Sequence, residues 1–225
     1  MKLVRNIKVT PNKEEILIRM GYPSDKKVKN KKIINLVEEN INNSKKYSDK
    51  ILSALNFYKI NKKEKWIKKL DNSGESYSYC CFYIVTAGQI IQDEIHSLLE
   101  NHKILDALVL DAMASYFVEY ASTFVQNNII KKAKKIKLHP HKIIFPGNKL
   151  PIDLQKVIFK KIDASKIGVS LSDNCLMIPL KTISSIILFN ENENDSYTIK
   201  PFDICTFCNF RKRCSYCKIK NIKNN

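Results

Sequence analysis

The residues best equipped for chemistry stand together late in the chain, in "CTFCNFRKRCSYC", where Cys205, Cys208, Cys214 and Cys217 follow a C-x2-C-x5-C-x2-C pattern. A two-residue gap lets both sulfurs of a pair converge on one ion or on one edge of a cluster. Thiolates gathered so closely repel one another unless a cation sits among them, and Arg211, Lys212, Arg213 and Lys218 lower that cost further. Zinc ribbons usually space their pairs more widely, whereas compact cysteine runs are commoner around iron-sulfur clusters. Two alternatives stand for these four ligands: an iron-sulfur cluster, or a zinc clip that folds the tail.

The other candidates are weaker. Cys80, Cys81 and Cys175 lie in apolar stretches and are read as small buried hydrophobes. His139 and His141 flank Pro140 without a nearby cysteine or carboxylate pattern, so they are read as exposed polar residues. The sequence shows no phosphate-cradling glycine loop, no nucleophile elbow and no His-Glu zinc helix.

The charge balance points to acidic partners. With 39 Lys and Arg against 22 Asp and Glu, the 225-residue chain carries a formal charge of +17, which attracts nucleic acid, acidic membrane surfaces or acidic proteins. Lysines are scattered throughout, so part of this charge is a compositional habit. No apolar run is long enough for a membrane span or a signal peptide, and seven cysteines without such a signal fit a reducing cytoplasm.

Several elements must position these groups. Thr10-Pro11 predicts a helix start, and Gly21 its end, around Ile16, Leu17 and Met20. Ile33, Ile34, Val37 and Ile41 mark a second amphipathic helix. Ala54–Ile60 reads as a strand and 72–76 as a turn. The run "YCCFYIV" from Tyr79 to Val85 suits a strand covered on both faces. A helix on Ile91, Ile95, Leu98 and Leu99 follows. Then comes the longest helical pattern, from Leu105 through Tyr116 towards Val125, leaving in the basic run 131–137. His139 to Pro151 is an extended, Pro- and Gly-punctuated segment that enters or leaves a short strand, and Asp153 to Asp163 is helical. Two β-rich runs flank the polar turn Ser172–Asn174, Cys175 falling in one of them, before a polar linker at 190–195. Mixed strands and helices without regular alternation predict an α+β fold.

In order along the chain, "TAGQIIQDEIHSLLENHKILDALVLDAMASYFVEY" (86–120), "PGNKLPIDLQ" (146–155) and "IGVSLSDNCLMIPLKTISSIILF" (167–189) resemble the activation domain of cobalamin-dependent methionine synthase. More closely, the whole chain resembles short stand-alone versions of that domain, which also end in a cysteine-rich tail. The resemblance implies a curved α+β domain over residues 1–195, with a central antiparallel sheet and flanking helices, followed by a metal or iron-sulfur tail over 196–225. It also implies a reactivation role: S-adenosylmethionine binding, docking on a cobalamin-binding domain whose cobalt has been oxidised, and an electron from a flavodoxin-like or ferredoxin-like donor. Such a domain positions its reactants and needs no acid-base residues of its own.

The family's ligand loop reads Arg-x-x-x-Gly-Tyr, and "IIFPGN" occupies its place here. Pro146 and Gly147 match. Ile143 stands at the arginine position and Asn148 at the tyrosine position, while Lys142 offers a point charge one residue away. The resemblance therefore implies cofactor contacts from Lys142, Pro146, Gly147 and Asn148. It also aligns Asp111 with an acidic residue of the family, although a helix-face carboxylate paired with a lysine is the plainer account. The alternative from another class is a basic, zinc-tailed nucleic-acid-binding protein that uses 131–137 and 211–213 on phosphates.

Overall fold

Strand β3 (Tyr79–Thr86) is the middle of a five-stranded antiparallel sheet, and all of it beyond its first residue is buried. Its neighbours are β2 (Leu52–Lys59) and β7 (Thr182–Asn190), each paired along its whole length. The short β1 (Lys2–Val4) flanks β2, and β4 (His139–Ile144) flanks β7, giving the order β1-β2-β3-β7-β4. The computed structural model describes residues 1–5, 7–22, 28–61, 66, 77–148 and 150–191. The expected turn at 72–76, the linker beyond 191 and the cysteine tail lie outside the described residues.

Alternation along β3 explains its apolar run. Cys81, Tyr83 and Val85 face one core with Ile187 and Phe189, and Cys80, Phe82 and Ile84 face a second core with Ile186 and Leu188. The first core is roofed by α5 (Ile104–Lys135), α1 (Lys13–Arg19), α2 (Lys31–Asn42) and α4 (Gln89–Glu100), with the single turn α3 (Lys45–Ser48) bringing in Tyr47. The second is closed by Leu154 and Ile158 of α6 (Leu154–Lys161) and by Ala164, Ile167 and Val169 around a 3-10 turn at Ala164–Ile167. The architecture is α+β, with helices on both faces of an antiparallel sheet. Among the described residues no helix is long and apolar enough to cross a membrane.

Local details differ from the sequence reading in places. Helix α1 starts at Lys13, not at Thr10-Pro11, because Asn12 is its N-cap and accepts a hydrogen bond from the Glu15 amide at 3.0 Å. Thr10 is held otherwise, its carbonyl accepting from the Tyr116 hydroxyl at 3.0 Å. Cys175 is not in a strand. It is buried in the turn of a small hairpin, β5 (Ser170–Leu171) with β6 (Met177–Ile178), at φ +61°. The short strand expected near His139 runs from His139 to Ile144 and carries a bulge between Pro140 and Lys142.

Arg19 pins α1 to α5. Its guanidinium donates to the Glu15 carboxylate at 2.9 Å and to Glu119, and stacks 5.3 Å from the centre of the Tyr116 ring. Burial opposes the charge on Arg19, yet Glu119 and Glu15 together outweigh it and hold the guanidinium above its ordinary range.

Candidate functional site

The antiparallel registers bring distant segments to one end of the sheet. Thr86, the last residue of β3, faces Thr182, the first of β7, and β4 runs towards that same end, with Ile144 opposite Ile186. The start of α4 and the segment joining the β5-β6 hairpin to β7 therefore lie together at that end, where the Ala87 amide donates to the Lys181 carbonyl at 2.9 Å, and the segment 145–148 leaves β4 in the same direction. The α6 segment begins close by, since Gly147 donates to the Leu150 carbonyl at 3.0 Å.

Residues 145–148 form a tight turn. Asn148 donates its amide to the Phe145 carbonyl at 3.1 Å, with Pro146 second and Gly147 third at φ +87°. This is the signature of a type II β-turn, which pre-sets φ with proline and demands a residue tolerant of positive φ next. The turn itself thus explains the Pro-Gly pair. A Cβ on Gly147 would also lie 2.9 Å from Cδ1 of Ile152, a flexible, exposed side chain that can swing aside. Backbone strain decides the outcome: Gly147→Ala is expected to lose about 1–2 kcal/mol in chemical denaturation, the cost of left-handed backbone for a residue with a Cβ.

Lys142 and Ile143 point to opposite faces. Ile143 pairs with Ile187 and packs into the α5-side core, whereas Lys142 pairs with Leu188, a residue of the α6-side core. The position that resembles the family's arginine is therefore filled by core packing. Lys142 does not reach the same face from its neighbouring position, and the donors here do not fit a guanidinium-type clamp on a carboxylate.

Where Thr86 faces Thr182 the sheet end is wired by short polar links. Thr182 donates to the Pro179 carbonyl at 2.7 Å, the Thr182 and Thr86 hydroxyls meet at 3.0 Å, and Gly88 donates its amide to Thr86 at 3.1 Å. Since the single Thr182 proton is committed to a carbonyl, Thr86 supplies the proton between the two hydroxyls. Next to them, Lys181 bonds Asp111 at 2.8 Å and Ser115 at 3.0 Å on α5. Asp111 is thus a helix-face carboxylate paired with a lysine, as the plainer account held.

The hairpin turn is closed by serine. Ser172 Oγ accepts from the Leu176 amide at 3.0 Å, and the Ser172 carbonyl accepts from Cys175 at 2.9 Å. Beyond it, Leu176, Ile178 and Leu180 alternate along the chain and are 60%, 49% and 61% exposed, an apolar strip facing solvent. This strip is not evident from the sequence. Its signal was the spacing of leucine and isoleucine at every second position, masked by the polar turn before it and Pro179 within it.

Metal ligation divides by region. Cys205, Cys208, Cys214 and Cys217 lie outside the described residues. Among the described residues no group of three or more His, Cys, Asp or Glu is placed to hold an ion, and His141 packs its ring 5.3 Å from Tyr77. Cys80, Cys81 and Cys175 are buried and take part in no disulfide, and desolvation pushes the Cys81 thiol well up, so these three behave as core hydrophobes.

No family model and no curated protein matches the sequence. Among solved structures the chain is similar to the crystal structure of the MetH reactivation domain bound to AdoHcy, with a TM-score of 0.55 and 9% identity over 76% of this chain and 67% of that one. The fold is shared. At this identity the likeness establishes the path of the chain, and the residues at the sheet end have to be read for themselves.

Proposed function

We propose that this chain is a reactivation module for a corrinoid methyltransferase related to cobalamin-dependent methionine synthase. The observation that carries the reading is the fold shared with the MetH reactivation domain across most of the chain. Support comes from the exposed strip Leu176, Ile178 and Leu180 at the sheet end, an apolar surface suited to docking on a cobalamin-binding domain. The charge of +17 favours an acidic electron donor of the flavodoxin or ferredoxin type, drawn in by long-range attraction.

In this reading residues 1–195 dock and position, and the tail 196–225 holds an iron-sulfur cluster or zinc through Cys205, Cys208, Cys214 and Cys217. The setting is the cytoplasm. S-adenosylmethionine, when bound, supplies the methyl group that traps the reduced cobalt. The Phe145–Asn148 turn, whose Gly147 and Asn148 amides are already committed to Leu150 and Phe145, offers such a ligand the carbonyls of Pro146 and Gly147 and the side chain of Asn148, and Lys142 gives only a distant charge on the other face. Ile143 provides no clamp for the carboxylate of a methyl donor.

The test is docking. Biolayer interferometry of the full chain against an isolated corrinoid domain with oxidised cobalt is expected to show salt-sensitive binding. Replacing Ile178 and Leu180 by serine together should weaken it at least tenfold without lowering the melting temperature, because both side chains are solvent-exposed. Equal binding by the variant, or none by the parent chain at micromolar concentration, would refute the proposal. Calorimetry with S-adenosylmethionine and metal analysis after anaerobic purification then separate the methyl-donor and tail assignments from docking itself.

A further inference from the structure

A groove of about 720 Å³ opens at the β1 margin of the sheet, between β1, the adjoining stretch of β2 and α5. Its apolar lining includes Val4, Leu55, Phe57, Phe124 and Ile129. Phe124 is 42% exposed, so its ring is open to a ligand in the groove. The polar part of the lining is one-sided: Lys2, Arg5 and Lys132 contribute cations, and among the described residues no carboxylate lines the groove. Lys2 and Lys132 both line the groove, and the nearby Lys2, of like charge, holds the Lys132 ammonium below its ordinary range. An anion placed between two like charges in one groove relieves their repulsion.

We propose that this groove binds a small amphipathic carboxylate, its head shared between Lys2 and Lys132 and its apolar tail running along α5 towards Phe124. The head has two oxygens for two ammonium groups. From Lys132 to Phe124 the helix advances by about 12 Å at 1.5 Å per residue, enough for a medium-length alkyl chain. The volume falls within the range of small-ligand sites, roughly 300–1,000 Å³. Other occupants are disfavoured by charge. A second copy of this chain carries the same +17, and the cysteine tail has more Lys and Arg than Asp and Glu.

Calorimetry of the full chain with decanoate, below its micelle concentration, tests the assignment against decanol and acetate, which carry the tail or the head alone. Decanoate is expected to bind at least tenfold more tightly than either. Lys2→Gln with Lys132→Gln should weaken it about tenfold, as should Phe124→Ser, whereas Lys134→Gln with Lys135→Gln, which removes the same charge from exposed positions outside the groove lining, should leave it unchanged. Decanol binding as tightly as decanoate would overturn the proposal. So would equal losses in the two lysine pairs, which would mark diffuse attraction to a basic surface.

Discussion

Phe82→Ala is expected to lose about 3–5 kcal/mol of stability, the range for truncating a fully buried aromatic side chain. Phe82 has no exposed surface, sits at the midpoint of β3 and meets Trp66 and Tyr58 edge-on at ring distances of 5.5 and 6.4 Å. Its removal opens a cavity walled by paired strands on either side, which cannot close in without breaking ladders to β2 and β7. Urea denaturation followed by circular dichroism should show a lower midpoint at unchanged slope. Phe82→Leu, which keeps much of the volume, should recover more than half of the loss.

Tyr83→Phe is expected to cost about 1–3 kcal/mol, although it deletes a single oxygen. On the opposite face of β3 the Tyr83 hydroxyl, fully buried, accepts from Gln126 Nε2 at 2.6 Å and lies 3.0 Å from the Ser122 hydroxyl. Without it the Gln126 amide and the Ser122 hydroxyl are left under-satisfied beneath α5, where water does not compensate them. The same group makes stability depend on alkaline pH. Burial raises the Tyr83 phenol above its ordinary value, and hydrogen bonds from Ser122, Gln126 and Ser185 offset only part of that.

The folded protein therefore keeps a proton on Tyr83 that the unfolded chain releases near pH 10. Its contribution is complete below that pH and falls as pH rises towards the folded-state value, by up to about 1.4 kcal/mol per pH unit. Tyr47, pushed up to about 12 chiefly by burial, adds to the same decline. The difference between parent and Tyr83→Phe in denaturation curves measured on either side of pH 10 isolates Tyr83. Parallel pH dependences in the two proteins would refute its role.

How much of this was legible in advance depended on the range of the interactions. The strand at Tyr79–Val85 showed itself because a doubly covered strand needs apolar residues at every position. Helix α2 showed itself through Ile33 and Val37, and both are buried. The Pro146-Gly147 turn was legible as a break, since both residues act on their own backbone. The direction of Ile143 was not legible. Which face it takes depends on strand register, and the bulge between Pro140 and Lys142 resets the parity just before it. The pairing of Asp111 with Lys181 and the sharing of one groove by Lys2 and Lys132 were out of reach for a related reason, because each joins segments far apart in sequence. The four tail cysteines are the reverse case: their spacing carries the signal in the sequence alone.

That same bulged strand, β4, is one of the two outer margins of the sheet, and β1 at the other is only three residues long. Pro140 withdraws a donor from β4, and the bulge interrupts the regular spacing a foreign strand would need in order to zip on. A protein whose central strands are so rich in isoleucine and aromatics thereby keeps its most fibril-prone segments sealed between neighbours, and what it shows at the margins makes a poor template for growth.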